Sequence, residues 1–318
     1  MAQPEIICLG EALIDILPSV YGANIVFSGQ MKMAAGGAPA NVAVGLARLG
    51  TKSGFIGRVG DDFFGYYLKQ ILDTNKVDTS QLLLDPRINT GLAFVSWDER
   101  GDANYLFYRQ PSADTMLQPD DIDQNYLTGA KLLQFGSLLL ATEPSASATF
   151  HALKLAREAG MILSYDLNLR LTNWPDETEA LRAVKQPLDY AHIVKLNRPE
   201  LDFLTGESDP EAGTAQLWQD HFRLIVITLD KEGCFYRTAT SHGFIASRPV
   251  KAVDTVGAGD GFMAGLLDGL RRSGFAFEDE QKVRLACRQA VAVGALTVSK
   301  PGGIPAMPFR REVDAFGY

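Results

Sequence analysis

The residues with the clearest chemical potential lie between positions 253 and 262, which read Val-Asp-Thr-Val-Gly-Ala-Gly-Asp-Gly-Phe. Gly257, Ala258 and Gly259 predict a turn in which the backbone can approach a ligand closely. An apolar run at helical spacing follows, so the free N–H groups of a helix N-terminus can bind an anion there. Asp260, in the first turn, can accept a proton from an alcohol. The pattern indicates phosphoryl transfer to a hydroxyl, and the alternative is an ordinary glycine-rich turn.

Two segments of the N-terminal region contain polar groups that could bind the alcohol. Asp15 stands among aliphatic residues after the first apolar strand, so it is either a hydroxyl-binding carboxylate or a surface residue on a half-exposed strand. Gly36 and Gly37 precede a predicted helix and place backbone N–H groups beside Asn41. The Asn41 amide either binds a hydroxyl or caps the turn.

Strand and helix patterns alternate along the chain, most clearly from position 130 onward. This alternation predicts a mainly parallel sheet with helices on both faces. Ligands of such sheets bind at the carboxyl ends of the strands. Polar residues stand directly after predicted strands at Asp15, in the segments 166–170 and 197–200, and at Thr228.

Positions 90 to 109 differ in amino-acid composition from the alternating strand and helix patterns. The segments 91–97 and 104–109 are aromatic and β-branched, and the turn 98–102 joins them, so a hairpin is predicted. Together with 25–33 it could form a small separate sheet that covers a pocket or pairs with a second subunit. Arg109 either binds a substrate oxygen or is a solvated arginine.

The composition excludes several classes of protein. The chain has 318 residues and a net charge of −8, with a pI of about 5.1, which argues against a nucleic-acid surface. Its three cysteines are scattered, so neither a disulfide framework nor a zinc spacing is present. No signal peptide is visible, and no apolar run approaches the roughly 18 residues of a membrane span. We expect a cytoplasmic protein without nucleic-acid or membrane partners.

The chain resembles the ribokinase-like (PfkB) family of sugar kinases and, within it, the fructokinases. The resemblance covers essentially the whole chain. It is carried by GEALIDILP, AAGGAPANVAVGLARLG, FIGRVGDDFFG, FYRQPSAD, SYDLNLRLTNWP, VKLNRPELDFLTG and VDTVGAGDGF. It implies one ribokinase-like domain over 1–318, a three-layer α/β/α architecture whose small sheet acts as a lid, with lid segments at about 12–33 and 90–113.

The resemblance assigns roles at the acceptor and phosphate positions. Asp260 would be the base that deprotonates the acceptor hydroxyl, and the amides of Gly257, Ala258 and Gly259 would hold the transferring phosphoryl group. The sugar hydroxyls would be bound by a set of residues from the N-terminal region and the body, namely Asp15, Gly36, Gly37, Asn41, Arg109 and Arg170.

The resemblance also implies a nucleotide site and two kinds of cation. Glu200 of an N-x-x-E motif would act through water on Mg²⁺ bound with ATP. The family often binds a monovalent cation such as K⁺, which Asp254 and carbonyls near Val256 and the 299–303 loop would hold. The nucleotide itself would contact residues of several strand ends and the glycine turn, namely Lys195, Asn197, Thr228, Asp230, Gly233, Gly257 and Gly259.

Four positions depart from the family pattern. Leu167 replaces a usual proline, which affects loop stiffness only. Val256 replaces a common threonine and Gly261 a common alanine or serine, and neither change removes the base or the amides. Asp230 stands where glycine is usual. A carboxylate near ATP phosphates repels them unless it points away or contacts ribose, so reduced ATP affinity or an altered nucleotide preference is a hypothesis.

The resulting hypothesis is an ATP-dependent fructokinase that forms D-fructose 6-phosphate and ADP, with a homodimer through the lid. One alternative is another kinase of the family, acting on 2-keto-3-deoxygluconate, ribose or a nucleoside. The other is a catalytically weak sugar-binding regulator, although such a protein has no need of a base. A dinucleotide oxidoreductase is excluded because Gly10-Glu11-Ala12-Leu13 is no G-x-G-x-x-G fingerprint.

Overall fold

The computed structural model of the protein describes residues 3–20, 22–97 and 103–318, so the predicted turn at 98–102 lies outside the described residues. The strands are β1 (Ile6–Leu9), β2 (Leu13–Pro18), β3 (Met31–Gly36), β4 (Ser53–Gly60), β5 (Asp78–Asp85), β6 (Leu92–Trp97), β7 (Ala103–Tyr108), β8 (Leu132–Gly136), β9 (Ile162–Asp166), β10 (Ile193–Asn197), β11 (Leu224–Thr228), β12 (Gly233–Arg237) and β13 (His242–Ala246). The α-helices are α1 (Ala38–Arg48), α2 (Phe63–Thr74), α3 (Gln124–Thr128), α4 (Ser145–Glu158), α5 (Glu177–Lys185), α6 (Arg198–Thr205), α7 (Pro210–Leu217), α8 (Ala258–Arg272), α9 (Glu280–Val298) and α10 (Arg310–Phe316).

The larger sheet has nine strands in the order β13-β12-β11-β10-β9-β8-β1-β4-β5. The strands from β11 to β5 are parallel, and β12 and β13 add an antiparallel hairpin at one edge. Successive side chains of β1 enter two different apolar cores, with Ile6 and Cys8 in one and Ile7 and Leu9 in the other. Because side chains alternate across a strand, helices must cover both faces of the sheet. The predicted three-layer architecture is confirmed.

The strand order reverses at β1. The chain runs from β1 outward to β4 and β5, and then returns to place β8 against the other side of β1. In open parallel sheets, ligands bind in the crevice that such a reversal creates at the carboxyl ends of the strands. The fold therefore predicts a site beyond the ends of β1 and β8.

The small sheet has four strands in the order β3-β2-β6-β7. Its hairpin of β6 and β7 agrees with the sequence prediction. The prediction for 25–33 is wrong in part, because 25–27 is a 3₁₀ turn and the strand covers Met31–Gly36 instead. The physical reason is local: the Asn24 side chain accepts a hydrogen bond from the Val26 N–H at 2.9 Å and caps the turn, although Ile-Val-Phe is a strand-like triplet.

The helices α1, α8 and α9 pack tightly against one another on one face of the larger sheet. A Cβ atom at Gly265 of α8 would lie 2.9 Å from the Ala290 Cα of α9, so only glycine permits this approach. A side chain at Gly261 would overlap Thr297, which explains why glycine suits this position. Close packing of α8 against α9 fixes the direction of the α8 N-terminus.

Some elements carry a weak sequence signal. The strand β5 is not predicted, because polar residues interrupt its first half and, as an edge strand, it is only partly buried. The short helices α7 and α10 are likewise not predicted. In the described ranges, we find no helix whose length and apolar character would let it cross a membrane.

Candidate active site

A cleft of about 950 Å³ opens at the carboxyl ends of the parallel strands, between the larger sheet and the small sheet. Leu13 and Tyr105 of the small sheet form one wall, and the α8 N-terminus forms part of another. The cleft collects most of the residues predicted from the sequence, namely Asp15, Gly37, Asn41, Arg170, Lys195, Asn197, Glu200, Thr228, Asp230, Gly233, Gly257, Ala258, Gly259 and Asp260.

The glycine turn begins α8 as predicted. Gly257 is the N-cap with φ +78°, and a Cβ atom there would lie 2.9 Å from the Gly303 Cα. The Ala258 N–H donates to the Thr255 carbonyl at 3.2 Å. The N–H groups of Gly257 and Gly259 have no hydrogen-bond partner among the described residues. These two amides and the helix dipole provide a site for an anion.

Asp260 lies in the first turn of α8 and is 8% exposed. Asn41 Nδ2 donates to Asp260 Oδ2 at 2.7 Å, which joins α1 to α8 across the cleft. Burial raises the pKa of Asp260 to about 6, with a further increase from Asp166, while the Asn41 hydrogen bond and the cations of Lys195 and Arg170 oppose the increase. A carboxylate of this pKa can take a proton from a hydroxyl at neutral pH.

Asn41 also has a hydrogen-bond acceptor that no described residue uses. Its Oδ1 atom is buried and has no hydrogen-bond partner in the part of the chain that the structure describes. Gly303 lies close against the same amide, since a Cβ atom there would lie 2.9 Å from Asn41 Nδ2. A buried acceptor held in place beside the cleft and left open is suited to a ligand hydroxyl.

Asp15 reaches the cleft from the small sheet. It is 6% exposed, and a Cβ atom at Gly36 would overlap its carboxylate. Burial raises the pKa of Asp15 to about 7, reinforced by the negative charges of Asp260 and Glu11. Gly36 therefore does not line the cleft but leaves room for Asp15, and the backbone of Gly37, with φ +100°, passes directly over the Glu11 carbonyl.

Lys195 belongs to β10 and lies between the glycine turn at 257–259 and Asp166 of β9. Its Nζ atom lies 3.0 Å from Asp166 Oδ1, and a Cβ atom at Gly259 would lie 3.0 Å from the same ammonium. Burial lowers the pKa of Lys195, but Asp166 and Glu200 outweigh burial and keep the pKa above its ordinary value. The ammonium remains charged next to the two free amides.

Glu200 completes a capping box at the start of α6. Its Oε2 accepts the Asn197 N–H at 2.8 Å, and its Oε1 accepts the Leu169 N–H at 2.8 Å. Burial raises the pKa of Glu200, against the effect of Lys195 and of the backbone hydrogen bonds. The Glu200 side chain is thus fixed at the carboxyl ends of β9 and β10.

The far end of the cleft is formed by the loop between β11 and β12. The Thr228 hydroxyl donates to the Leu196 carbonyl at 3.3 Å. Asp230 is exposed and has φ +48°, and Gly233 has φ +130°. Asp230 has a left-handed backbone conformation, which glycine adopts most easily and which asparagine and aspartate tolerate better than most other residues.

Besides Gly36, two further predicted residues do not line the cleft. Arg109 is buried and paired with Asp114, whose Oδ2 accepts from Arg109 Nε at 2.8 Å. Asp254 is buried three residues before the glycine turn at 257–259. Its carboxylate accepts hydrogen bonds from the N–H groups of Val256 at 3.0 Å and Gly302 at 2.7 Å. Arg170, by contrast, lines the cleft with its guanidinium carbon 5.0 Å from the centre of the Tyr105 ring.

The cleft also contains residues that the sequence reasoning did not assign. Glu11 closely follows a parallel strand, which is the signal that could have identified it. Asp166, which ends β9, is 2% exposed and is paired with Lys195. Tyr105 and Phe107 line the cleft because alternate residues of β7 point inward. Periodicity gave no means of choosing which face of the hairpin would be the inner one.

The fold and the cleft together define an α/β enzyme of the phosphotransferase class. The residues around Asp15 and Asn41 form the acceptor end of the cleft, and the amides of Gly257 and Gly259 form its anion end. Residues 3–310 match the sequence profile of the pfkB family carbohydrate kinases. The probable chloroplastic fructokinase-6 of Arabidopsis thaliana is 43% identical over 313 residues, which cover 98% of this chain and 82% of that protein.

Solved structures agree with this match. The fructokinase of Vibrio cholerae O395, in a form with bound fructose, ADP and calcium ion, superposes with a TM-score of 0.89 at 34% identity over 99% of both chains. The ATP-bound fructokinase of Xylella fastidiosa has a TM-score of 0.89 at 32% identity, covering 98% of this chain and 97% of that one. The chain belongs to the pfkB family of carbohydrate kinases. The predicted ribokinase-like fold and the predicted sugar phosphotransferase class are confirmed.

Proposed function

We propose that the protein is an ATP-dependent fructokinase that transfers the γ-phosphoryl group of ATP to the 6-hydroxyl of D-fructose. The observation that carries the proposal is the position of Asp260, a buried carboxylate hydrogen-bonded to Asn41 and adjoining the free amides of Gly257 and Gly259. The similarity to fructokinases over nearly the whole chain supports fructose as the acceptor.

In the proposed reaction, the acceptor hydroxyl gives its proton to Asp260 as its oxygen attacks the γ-phosphorus. The bond between the γ-phosphorus and the bridging oxygen breaks, and ADP leaves. The amides of Gly257 and Gly259, with Ala258 between them, would stabilise charge that develops on the phosphoryl oxygens. Lys195 adds a positive charge beside this turn.

The acceptor would be held from several directions. Asp15 and the open Oδ1 of Asn41 offer acceptors to hydroxyls, and Arg170 offers donors. Gly36 and Gly37 would act by making room for Asp15 and for the sugar. Arg109 would act from behind the cleft, because its guanidinium is already paired with Asp114.

The residues at the anion end fit a magnesium ion held mainly by nucleotide phosphates. The described residues contain no cluster of three or more acidic, histidine or cysteine side chains that could hold a metal by themselves. Mg²⁺ is usually bound by one or two carboxylates together with substrate phosphates and water, and Glu200 lines the cleft where it could do so through water. When bound, Mg²⁺ would neutralise phosphate charge. Asn197, Thr228 and Gly233 would border the nucleotide.

The surroundings of Asp254 fit a monovalent cation. The carboxylate is 2% exposed and has no cationic side-chain partner in the described ranges. A buried, unpaired negative charge is costly, and a bound K⁺ would compensate it. We propose Asp254 with carbonyls near Val256 and in the 299–303 loop as its surroundings.

A coupled assay of ADP release with Mg-ATP tests the proposed function. The panel should contain fructose, glucose, ribose, 2-keto-3-deoxygluconate and nucleosides. We expect the highest kcat/KM with fructose. Turnover of another sugar alone would retain the phosphotransferase and replace fructose as its acceptor. Sugar binding without any turnover would favour a sugar-binding regulator.

We further propose that two copies of the chain pair through the small sheet. Its outward-facing row Met33, Ile16, Phe94 and Leu106 crosses all four strands without a charge. Met33 is 50% exposed and Leu106 is 60% exposed. This apolar row can pack against the same row of a second copy about a two-fold axis, because each copy presents the same surface.

The variant Leu106→Glu tests the pairing. We expect the wild type to sediment as a dimer and the variant as a monomer, because a buried unpaired carboxylate costs about 2 kcal/mol or more of association free energy. Leu285→Glu is the matched control, since Leu285 is 51% exposed on α9, away from the small sheet. A wild type that is monomeric at all concentrations would contradict the proposal.

Asp230 provides a prediction about the nucleotide. Its exposed carboxylate lies at the cleft and would repel phosphates. We expect Asp230→Asn to lower the KM for ATP by about threefold with unchanged kcat, because an exposed charge interaction is worth less than about 1 kcal/mol. Asparagine tolerates positive φ, so this variant isolates the charge. Asp230→Gly removes the side chain as well, and KM should be measured for ATP and GTP in both. Unchanged values in both variants would remove the idea.

A further inference from the structure

A second cavity, of about 380 Å³, lies between the edge strand β13, one face of α9 and the end of α10. Three arginines and three aromatic residues contribute to its lining, namely Arg248, Arg284, Arg288, Phe244, Phe316 and Tyr318. Among the described residues, no acidic side chain belongs to this lining, although the whole chain has a net charge of −8. The cavity therefore concentrates positive charge in an acidic protein.

Two of the arginines repel each other on one helix. Arg284 and Arg288 stand four positions apart on α9, so their side chains leave the helix on the same face, where like charges are destabilising. The other α9 residues three or four positions from Arg288 are Leu285, Val291 and Ala292, so its helical neighbours offer no carboxylate. Within the described ranges, the Arg288 side chain forms no ion pair and no hydrogen bond. A bound anion would relieve this repulsion.

The other guanidiniums are held mainly by neutral groups. Arg284 Nη1 donates to the Tyr236 hydroxyl at 3.0 Å, and Arg248 Nη1 donates to the Phe316 carbonyl at 2.8 Å. In the part of the chain that the structure describes, Glu280 is the one carboxylate that forms an ion pair with any of the three arginines, at 3.8 Å from Arg284 Nη1. Because a guanidinium has five N–H donors, both are oriented while most of their donors remain available to a ligand.

The donors and the size of the cavity indicate the class of ligand. Guanidinium groups match phosphate oxygens through paired N–H···O bonds, so clustered arginines favour phosphate. Small-molecule sites usually have volumes of about 300–1,000 Å³, so this cavity has room for more than an inorganic anion. Phe244 is 46% exposed, and together with Phe316 and Tyr318 it offers an apolar surface to the body of a ligand.

The second cavity adjoins the cleft but does not share its anion end. Arg248 and Val291 line both cavities. The glycine turn at 257–259 and Lys195, which would bind the phosphates of ATP, line only the cleft. A phosphate in the second cavity is therefore not the one that would be transferred.

We propose that the second cavity is a binding site for a phosphate monoester, held by Arg248, Arg284 and Arg288. The sugar or nucleoside that carries the phosphate would lie against the aromatic residues of the cavity. The site is separate from the proposed phosphoryl transfer, and its occupancy does not depend on which sugar is the acceptor.

The test is titration calorimetry of the full-length protein with Mg²⁺ and a saturating non-hydrolysable ATP analogue, which occupies the anion end of the cleft. The probes are inorganic phosphate, glucose 6-phosphate and AMP, with adenosine as the uncharged control. We expect a phosphate monoester to bind at least tenfold more tightly than adenosine, and its Kd to rise with salt because the attraction is between charges. Tighter binding of AMP or of glucose 6-phosphate would identify the body as a nucleoside or a sugar.

Arg288→Gln tests the assignment to this cavity. Arg288 is exposed and unpaired among the described residues, so the variant should fold. We expect the Kd of the phosphate monoester to rise by about tenfold, because charge-assisted hydrogen bonds are lost. Arg272→Gln is the matched control, since Arg272 is an exposed arginine in the last turn of α8 that lines neither cavity, and its Kd should stay at the wild-type value. Arg284→Gln should behave like Arg288→Gln and replaces it if thermal unfolding shows that variant to be unfolded.

Three results would overturn the inference. These are an absence of binding of every phosphate probe at millimolar concentration, equal binding of AMP and adenosine together with no binding of glucose 6-phosphate, and equal Kd values in Arg288→Gln and Arg272→Gln. A failure of the proposed kinase reaction would appear separately, as absence of ADP release by the wild type with fructose.

Discussion

Asp260→Asn is expected to lower kcat by about a thousandfold, because a positioned general base contributes on the order of 10²–10⁴ to the rate. The amide keeps the shape of the side chain, and its oxygen can still accept the hydrogen bond from Asn41 Nδ2. Fructose should therefore still bind. The measurement is a coupled assay of ADP release together with the Kd of fructose by calorimetry.

The pH profile of the wild type checks the same assignment. Asp260 must be ionised to accept a proton, and its pKa is raised to about 6. The kcat/KM should therefore fall as the pH decreases through about 6 and be constant well above it. Asp15 and Glu11, with pKa raised to about 7, can add a dependence of sugar binding over the neighbouring range. Near-normal turnover in Asp260→Asn would contradict the role of the base.

Gly257→Ala is expected to lower kcat by about a hundredfold, because one misplaced amide donor of an anion site costs 10²–10³ in rate. The methyl group would lie 2.9 Å from the Gly303 Cα, so the turn or the 299–303 loop must shift. Alanine at φ +78° also costs about 1–2 kcal/mol of stability. The measurements are kcat with saturating fructose and ATP, and the unfolding midpoint in urea.

Gly274→Ala separates the two costs. Gly274 follows the other end of α8 with φ +70°, and a Cβ atom there meets nothing within 4 Å. The variant should lose a similar amount of stability from the positive φ but retain the wild-type kcat. If both variants have the same kcat, the turn at Gly257 does not position the transferring phosphoryl group.

The elements that could be predicted from the sequence are those with a strong local signal. The α6 helix has such a signal at both ends, because a capping box starts it at Arg198 and Gly206 stops it after Thr205. The continuous apolar run of β11 likewise indicates a buried parallel strand. The edge strand β5 and the start of β3 could not be predicted, because their pattern depends on partners far away in sequence.

The candidate site could be predicted where a motif fixes a residue next to a backbone feature, as for Asp260 at the start of α8. It could not be predicted where burial and pairing decide the role. Arg109 belongs to a recognisable segment, but only the structure places Asp114 against it and removes it from the cleft wall. Glu11 belongs to the family-like stretch GEALIDILP, but its burial and the hydrogen bond that it accepts from the Ala38 N–H depend on a segment that is distant in the sequence.

The hydrogen bond between Asn41 and Asp260 has an evolutionary consequence. Side chains that would recognise the acceptor come mainly from the first third of the chain, whereas those that would handle phosphate all follow position 165. This hydrogen bond joins the two portions at the acceptor, over 219 positions of sequence separation. A lineage could therefore exchange its substrate by altering the N-terminal portion and inherit the transfer chemistry unchanged, provided that this contact between the two is preserved.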